Sequence, residues 1–295
     1  MRKTMMSLAA LCLAFPVSAM AADADWTAVG AALGKPGVVA PGDVYRVGMP
    51  RTDLHVVLDG VDIRPTLALG SWVAFQSKGG MSMVMGDIVL TENEVGPVMK
   101  KFLDNGLEIT ALHNHLFRAR PATFYMHVIG HGDPVKLATA LHDGLALSAT
   151  PLSMTPPRAA APQKLDLDTA MIDRILGGKG TVLGGVYQVG IKRAETVMDG
   201  GMAIPSTMGS AEAMNFQPTG NGKSAITGDL VLTAAEVNPV LRALRSNGIE
   251  VTALHNHMLD DEPRLFFMHF WANGDAAKLA GGLRAALDKI SLARS

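Results

Sequence analysis

One segment of this chain is written twice at a fixed spacing, and each copy carries the same three histidines. Gly86-Asp87-Ile88-Val89-Leu90-Thr91 leads to Thr110-Ala111-Leu112-His113-Asn114-His115 and on to His127. Gly228-Asp229-Leu230-Val231-Leu232-Thr233 leads to Thr252-Ala253-Leu254-His255-Asn256-His257 and on to His269. Each histidine lies 142 residues from its counterpart, and 18 of the 30 positions from Gly86 to His115 recur. The match extends backward through Tyr45, Gly48 and Arg51 to Tyr187, Gly190 and Arg193. Two copies are too few for a solenoid, so the chain is expected to fold as a tandem pair of equivalent domains.

Within each copy the patterning predicts an α+β unit with antiparallel strands and packed helices. An opening helix spans Trp26 to Leu33, or Thr169 to Leu176, and ends at glycine. Short strands follow around Val44–Val47, His55–Leu58, Trp72–Gln76 and Met83–Leu90. Thr91-Glu92-Asn93-Glu94 and Thr233-Ala234-Ala235-Glu236 have the form of a capping box. Val95, Val98, Met99 and Phe102 then make one helical face, and Asn105-Gly106 supplies its left-handed stop. Pro97 and Pro239 fall inside this helix, so it either kinks there or starts late. A strand (107–115), a loop, a strand (123–130) and a helix (133–145) complete the unit. Residues 22–150 form the first domain and 164–295 the second, joined by a Pro/Ala-rich stretch, 151–163, of extended character.

The first residues read as a secretory signal peptide: a basic start at Arg2-Lys3, an apolar run from Met5 to Pro16, and Ala19-Met20-Ala21 as cleavage site. Cleavage after residue 21 implies a periplasmic or secreted protein. Nothing later in the sequence approaches a membrane span. Cys12, the only cysteine, falls in the removable segment, which leaves no disulfide and no thiolate ligand. Without Arg2 and Lys3, 24 basic residues stand against 27 acidic ones. That balance argues against a nucleic-acid binder.

On a strand, side chains alternate, so His113 and His115 share a face. Pairing of 113 with 127 would bring the third imidazole beside them, and His255, His257 and His269 repeat the arrangement. Three nitrogen ligands with no thiolate are the donor set of an open divalent metal site, zinc foremost. The candidate catalytic residues are Glu94, Asp87, Arg51 and Tyr125. Glu94 is also explained by its cap, and Asp87 by turn duty or by accepting from a histidine N–H. Arg51 pairs with Asp53 on the surface or clamps a carboxylate or phosphate. Asn114 and Asn256 read as hydrogen-bonded core residues, and His55, His131 and His142 as surface residues. Met81, Met83 and Met85 read as a core-facing strand rather than copper ligands, because Lys223, Ala225 and Thr227 replace them in the second copy.

The run Gly248-Ile249-Glu250-Val251-Thr252-Ala253-Leu254-His255-Asn256-His257, with Pro263, Phe267-Met268-His269-Phe270-Trp271 and Gly274-Asp275, resembles the LppY/LpqO-type family. The resemblance implies a bacterial secreted or lipoprotein domain of unknown function, usually present in two copies. The chain lacks a lipobox, so an anchor is not implied here. The histidine triad alone is similar to that of acetolactate decarboxylase, in which His-x-His and a third histidine bind zinc in a duplicated α+β fold.

These features lead to an expected secreted metal-binding protein with a His-x-His…His site in each repeat, open to metal-dependent chemistry on a small molecule. A non-catalytic metal carrier, or a ligand-binding or envelope interaction protein, is the alternative, and the sequence does not decide whether the protein is an enzyme. The loop between the histidine strands is basic in the first copy (Leu116-Phe117-Arg118-Ala119-Arg120) and acidic in the second (Met258-Leu259-Asp260-Asp261-Glu262). An anionic small-molecule partner is therefore expected at the first.

Overall fold

The computed structural model describes residues 24–78, 81–154 and 164–293. The expected signal peptide, with Cys12, and residues 155–163 of the expected linker lie outside the described residues. Each repeat opens on a helix, α1 (Trp26–Leu33) and α5 (Thr169–Leu176). Asp25 and Asp168 accept from the first-turn amides, and Gly34 and Gly177 end the helices at φ 79° and 76°, where a β-carbon would be strained.

The first sheet has six antiparallel strands in the order β1-β2-β5-β6-β8-β7: β1 (Val38–Ala40), β2 (Val44–Pro50), β5 (Gly70–Lys78), β6 (Met81–Thr91), β7 (Glu108–His113) and β8 (Thr123–Gly132). The second repeats this order as β9 (Thr181–Leu183), β10 (Val186–Lys192), β13 (Ala211–Gly220), β14 (Lys223–Thr233), β16 (Leu265–Asp275) and β15 (Glu250–His255). A hairpin leaves each sheet, β3 (Val56–Leu58) with β4 (Val61–Ile63), and β11 (Val197–Asp199) with β12 (Met202–Ile204). Short turns of helix follow the hairpins, α2 (Pro65–Ala68) and Ser206–Met208.

Helices α3 (Glu92–Asp104) and α6 (Ala234–Ser246) start on the expected capping boxes and run on through Pro97 and Pro239, so neither starts late. With α4 (Pro134–Leu145) and α7 (Ala276–Leu287) they cover one face of each sheet. Val47, Phe75, Val84, Ile88, Phe102, Met126 and Leu141 form that core in the first repeat, and Val189, Phe216, Ile226, Leu230, Leu244, Met268 and Leu283 form it in the second.

The other face of each sheet is also buried, and its partner is the other repeat. Met83, Met85 and Ile129 pack with Val231, Met258 and Phe267, while the hairpin residues Val197, Met202 and Ile204 of the second repeat join Val44 and Ala74 of the first. Reciprocally, Val56, Leu58, Val61 and Ile63 share a core with Val186, Ala225 and Trp271. The repeats thus form four layers, helices outside and two sheets back to back. Met83 and Met85 are buried as expected of a core-facing strand, but Met81 at the strand's start is exposed.

Polar side chains tie the halves together along the same seam. Gln217 Nε2 donates to the Asp62 carbonyl and its Oε1 accepts from the Arg64 amide (2.7 and 2.9 Å), and Asn215 donates to the Leu67 carbonyl. Arg118 bridges Asp59 of its own repeat and Glu250 of the other.

Candidate metal centre

Residue alternation on β6 and β8 sends Val84, Ile88, Met126 and Val128 to the helices, and therefore sends Asp87 and His127 to the sheet–sheet seam. Asp87 and His127 are direct cross-strand partners, as are Asp229 and His269. Asp87 lies in mid-strand, not in a turn.

The expected pairing of His113 with His127 does not occur. A bulge between Ile109 and Ala111 sets Ala111 opposite His127 and His113 opposite Tyr125, and the second repeat has the same bulge between Val251 and Ala253. The extra residue is a threonine, Thr110 or Thr252, and both hydroxyls are used across the seam. Thr110 Oγ1 donates to the His257 carbonyl at 2.6 Å and Thr252 Oγ1 to the His115 carbonyl at 2.5 Å. His115 and His257 lie just past the strand ends, so these bonds fix the backbone that carries them.

The result is a single cluster of six imidazoles. His113 stacks on His255 (ring centroids 3.5 Å apart) and His127 on His257 (3.9 Å), while His115 lies tilted against His269 (3.6 Å), each pair joining one repeat to the other. Within the first repeat, His113 Nε2 and His127 Nε2 approach to 2.9 Å. Tyr125 and Phe267 close the flanks, their rings on His115 and His257 at 3.3 and 3.4 Å. The Tyr125 hydroxyl donates to the Ala68 carbonyl.

Ligand atoms lie within 4.8 Å of one another in four groupings: His113–His115–His269, His113–His127–His255, His255–His257–His269 and Asp87–His115–His127. Two of them mix the repeats. The donor set is neutral nitrogen and carboxylate oxygen, which suits a borderline divalent cation such as zinc.

Burial sets the protonation states. It lowers His113 and His257 to about 3 and His269 to about 4, and pushes His115, His127 and His255 well down, helped by neighbouring imidazoles. All six are neutral at physiological pH and keep a lone pair. Burial raises the carboxyls: Asp229 is pushed up to about 6, and Asp87, which also feels Asp229, rises well above the usual range. His269 Nδ1 donates to the Gly228 carbonyl at 2.7 Å, which leaves its Nε2 as the atom free to ligate. Asp229 Oδ2 lies 3.2 Å from His257 Nε2, and Asp87 Oδ2 lies 3.8 Å from His115 Nε2.

Several sequence candidates lie elsewhere or do other work. Arg51 is fully buried rather than on the surface. Its guanidinium donates to the Val89 carbonyl (2.7 Å), to both Glu94 oxygens (2.9 and 3.1 Å) and to Asp53, and Arg193 repeats the arrangement with Val231, Glu236 and Glu195. Arg51 and Glu94 therefore tie β6 to the start of α3 and are spoken for within the fold. Asn114 is exposed, whereas Asn256 donates to the Thr110 and Met258 carbonyls. His142 is half-buried and bonds the Leu33 carbonyl at the end of α1, while His55 and His131 are exposed. The contrasting loops do not rim two separate sites. Arg118 is taken by Asp59 and Glu250, and Asp261 by Arg264 and the Leu265 amide.

Beside the cluster lies a cavity of about 620 Å³ between the sheets, lined by His115, His257, His269, Asp87, Asp229 and Tyr125. Arg46, Trp72, Gln188 and Glu212 also line it, and sequence reasoning singled out none of them. The signal for Arg46 was present, since the same 142-residue offset pairs it with Gln188. Ser71 and Glu212 fall where the repeat register slips, which hides their equivalence.

Fold and site together define a fused pair of α+β repeats that encloses a histidine cluster at its seam. The chain belongs to the family described as Domain of Unknown Function (DUF1259), which matches it twice, at residues 27–147 and 170–289. No curated protein matches it. Similar solved structures include the trimeric bacterial microcompartment shell protein PduB (11% identity, 85% of this chain and 89% of that one, TM-score 0.21). Another is EtuB from Clostridium kluyveri (10% identity, 85% and 88%, TM-score 0.20). Among the described residues no helix is long and apolar enough to cross a membrane.

Proposed function

We propose that this is a secreted or periplasmic metal-binding protein of the LppY/LpqO type, in which the six histidines form one divalent-metal centre shared by the repeats, zinc being the first candidate. One observation carries the reading. Among the described residues, eight buried atoms of the cluster have no hydrogen-bond partner: His113 Nδ1, His115 Nε2, both His255 ring nitrogens, His257 Nε2, His269 Nε2, Asp87 Oδ1 and Asp229 Oδ1. Each unanswered buried group costs about 1–3 kcal/mol, and their sum rivals the whole stability of a domain. A water molecule has two protons to offer, whereas a cation answers three converging lone pairs at once.

The cavity beside the cluster supports action on a small molecule over simple carriage. When bound, the metal supplies Lewis acidity. Asp229, with its carboxyl near 6, can hold or release a proton at the cavity wall. A metal carrier is the alternative, favoured by the depth at which His127 and His269 are buried. Metal analysis of protein purified from its own compartment tests the reading. Between one and two zinc ions per chain are expected, and metal-free protein that takes up none on dialysis against zinc would refute it.

A further inference from the structure

The two repeats perform the same structural tasks with different side chains, and the differences collect in one place. Arg46 Nη1 donates to the Thr207 carbonyl at 2.9 Å, and its repeat equivalent Gln188 donates to the Thr66 carbonyl at 2.8 Å. Ser71 accepts from the Val89 amide, and its equivalent Glu212 accepts from the Val231 amide. A glutamine and a serine suffice for these bonds. Glu212 also faces the buried Arg193 guanidinium at 3.8 Å, so it is the arginine that brings more chemistry than the fold uses, and both side chains line the cavity beside the histidines.

Arg46 stacks its guanidinium 4.0 Å from the centre of the Trp72 ring, where the second repeat has only Ala213. Stacking holds the plane of the guanidinium and leaves its edge free to bond. Among the described residues, the guanidinium's only hydrogen bond is the one from Nη1, so Nε and Nη2 are left open. Asp87 is the acidic side chain whose field Arg46 feels, and its oxygen belongs to a ligand grouping with His115 and His127. With Asp87 turned to a cation, the free edge of Arg46 is left to a ligand entering the cavity. Glu212 is engaged by the Val231 amide and faces the Arg193 guanidinium, and burial raises its carboxyl well above the ordinary range.

We infer that Arg46, steadied by Trp72, is the anchor for the carboxylate of a small organic acid that occupies the cavity beside the histidine cluster. The inference deepens the metal-centre reading and rests on it for the role of Asp87. A guanidinium edge binds a carboxylate through paired charge-assisted hydrogen bonds, and the cavity is large enough for an acid of aromatic size.

The test is calorimetric titration of the full chain, zinc-loaded and EDTA-treated, with benzoate and with benzamide as its uncharged isostere. Zinc-loaded protein is expected to bind benzoate at least tenfold more tightly than benzamide. Arg46→Gln installs the side chain that makes the equivalent backbone bond in the second repeat. It is expected to weaken benzoate at least tenfold while leaving zinc content and thermal midpoint at wild-type values. Equal benzoate affinity in the variant and the wild type overturns the assignment, as does zinc-loaded wild type that binds no benzoate. Protein that refuses zinc refutes the metal reading alone, and the comparison of Arg46→Gln with wild type in EDTA-treated protein then decides the anchor.

Discussion

His113 and His255 occupy the same position of the duplicated motif, yet they lie ring on ring, 3.5 Å apart. A residue that touches its own repeat equivalent must lie on the pseudo-twofold axis relating the repeats. The remaining pairs obey the same symmetry: His115 meets the copy of His127, and His127 meets the copy of His115. The duplicated motif therefore describes two halves of one centre.

Under the proposed metal centre, interleaving should make the metal stoichiometry cooperative between repeats. His255→Ala removes a ligand from two of the four groupings, one of which contains His113 and His127. Metal retention by inductively coupled plasma mass spectrometry should fall to well under half of wild type. Retention of half the metal, with the first repeat fully loaded, would indicate independent sites.

Acid should destabilise the metal-free protein early. The imidazoles have folded pKa values below the unfolded 6.5, so the unfolded chain binds more protons between about pH 6.5 and pH 4. Stability is complete above pH 6.5 and falls as the pH drops toward the folded values, by roughly 1 kcal/mol per imidazole between pH 6.5 and 5.5. Asp87 and Asp229, raised in the fold, oppose this over part of the range, but they are two groups against six. Melting temperature in EDTA at pH 7.5 and 5.5 measures the balance. An unchanged or higher midpoint at pH 5.5 would contradict the neutral, buried cluster.

Arg51 is a test of scaffold against site. Arg51→Met leaves Glu94 and Asp53 without their buried partner and should cost about 3–5 kcal/mol. Metal content of the folded fraction should not change. Urea denaturation with metal analysis of the same sample separates the two, and loss of metal without loss of stability would restore Arg51 to the site.

Thr110 and Thr252 each hold the other repeat's second histidine through its carbonyl. Thr110→Val keeps the β-branched shape of the bulge and removes the bond. Zinc affinity, measured by competition with a chelator, should drop about tenfold or more, as for other changes just outside a ligand shell. An affinity equal to wild type would mean that the strand ends hold the loop unaided.

Much of the architecture is legible in the sequence because local chemistry dictates it. The caps at Thr91 and Thr233, the glycine stops at Gly34 and Gly177 and the helix pattern around Phe102 all depend on near neighbours, and all three appear where the residues place them. The pairing of His113 was misjudged because a bulge depends on what threonine can reach across the seam, which lies far away in sequence. One local signal for that seam did exist. Residues 82–90 are buried without interruption, as suits a strand covered on both faces, and their near-continuous apolar run is incompatible with a sheet wet on one side. Arg46 escaped notice because its importance lies in its difference from Gln188, not in anything beside it in sequence.

The crossed hairpins and shared cores have the geometry of a symmetric dimer whose subunits have been joined end to end. In a dimer of identical chains every substitution arrives twice, so an arginine at position 46 would face a second arginine at the equivalent place. Fusion lifts that restriction. One copy can keep glutamine and alanine as plain structure while the other carries Arg46 and Trp72, and a centre built by symmetry acquires a direction along which a molecule can be oriented.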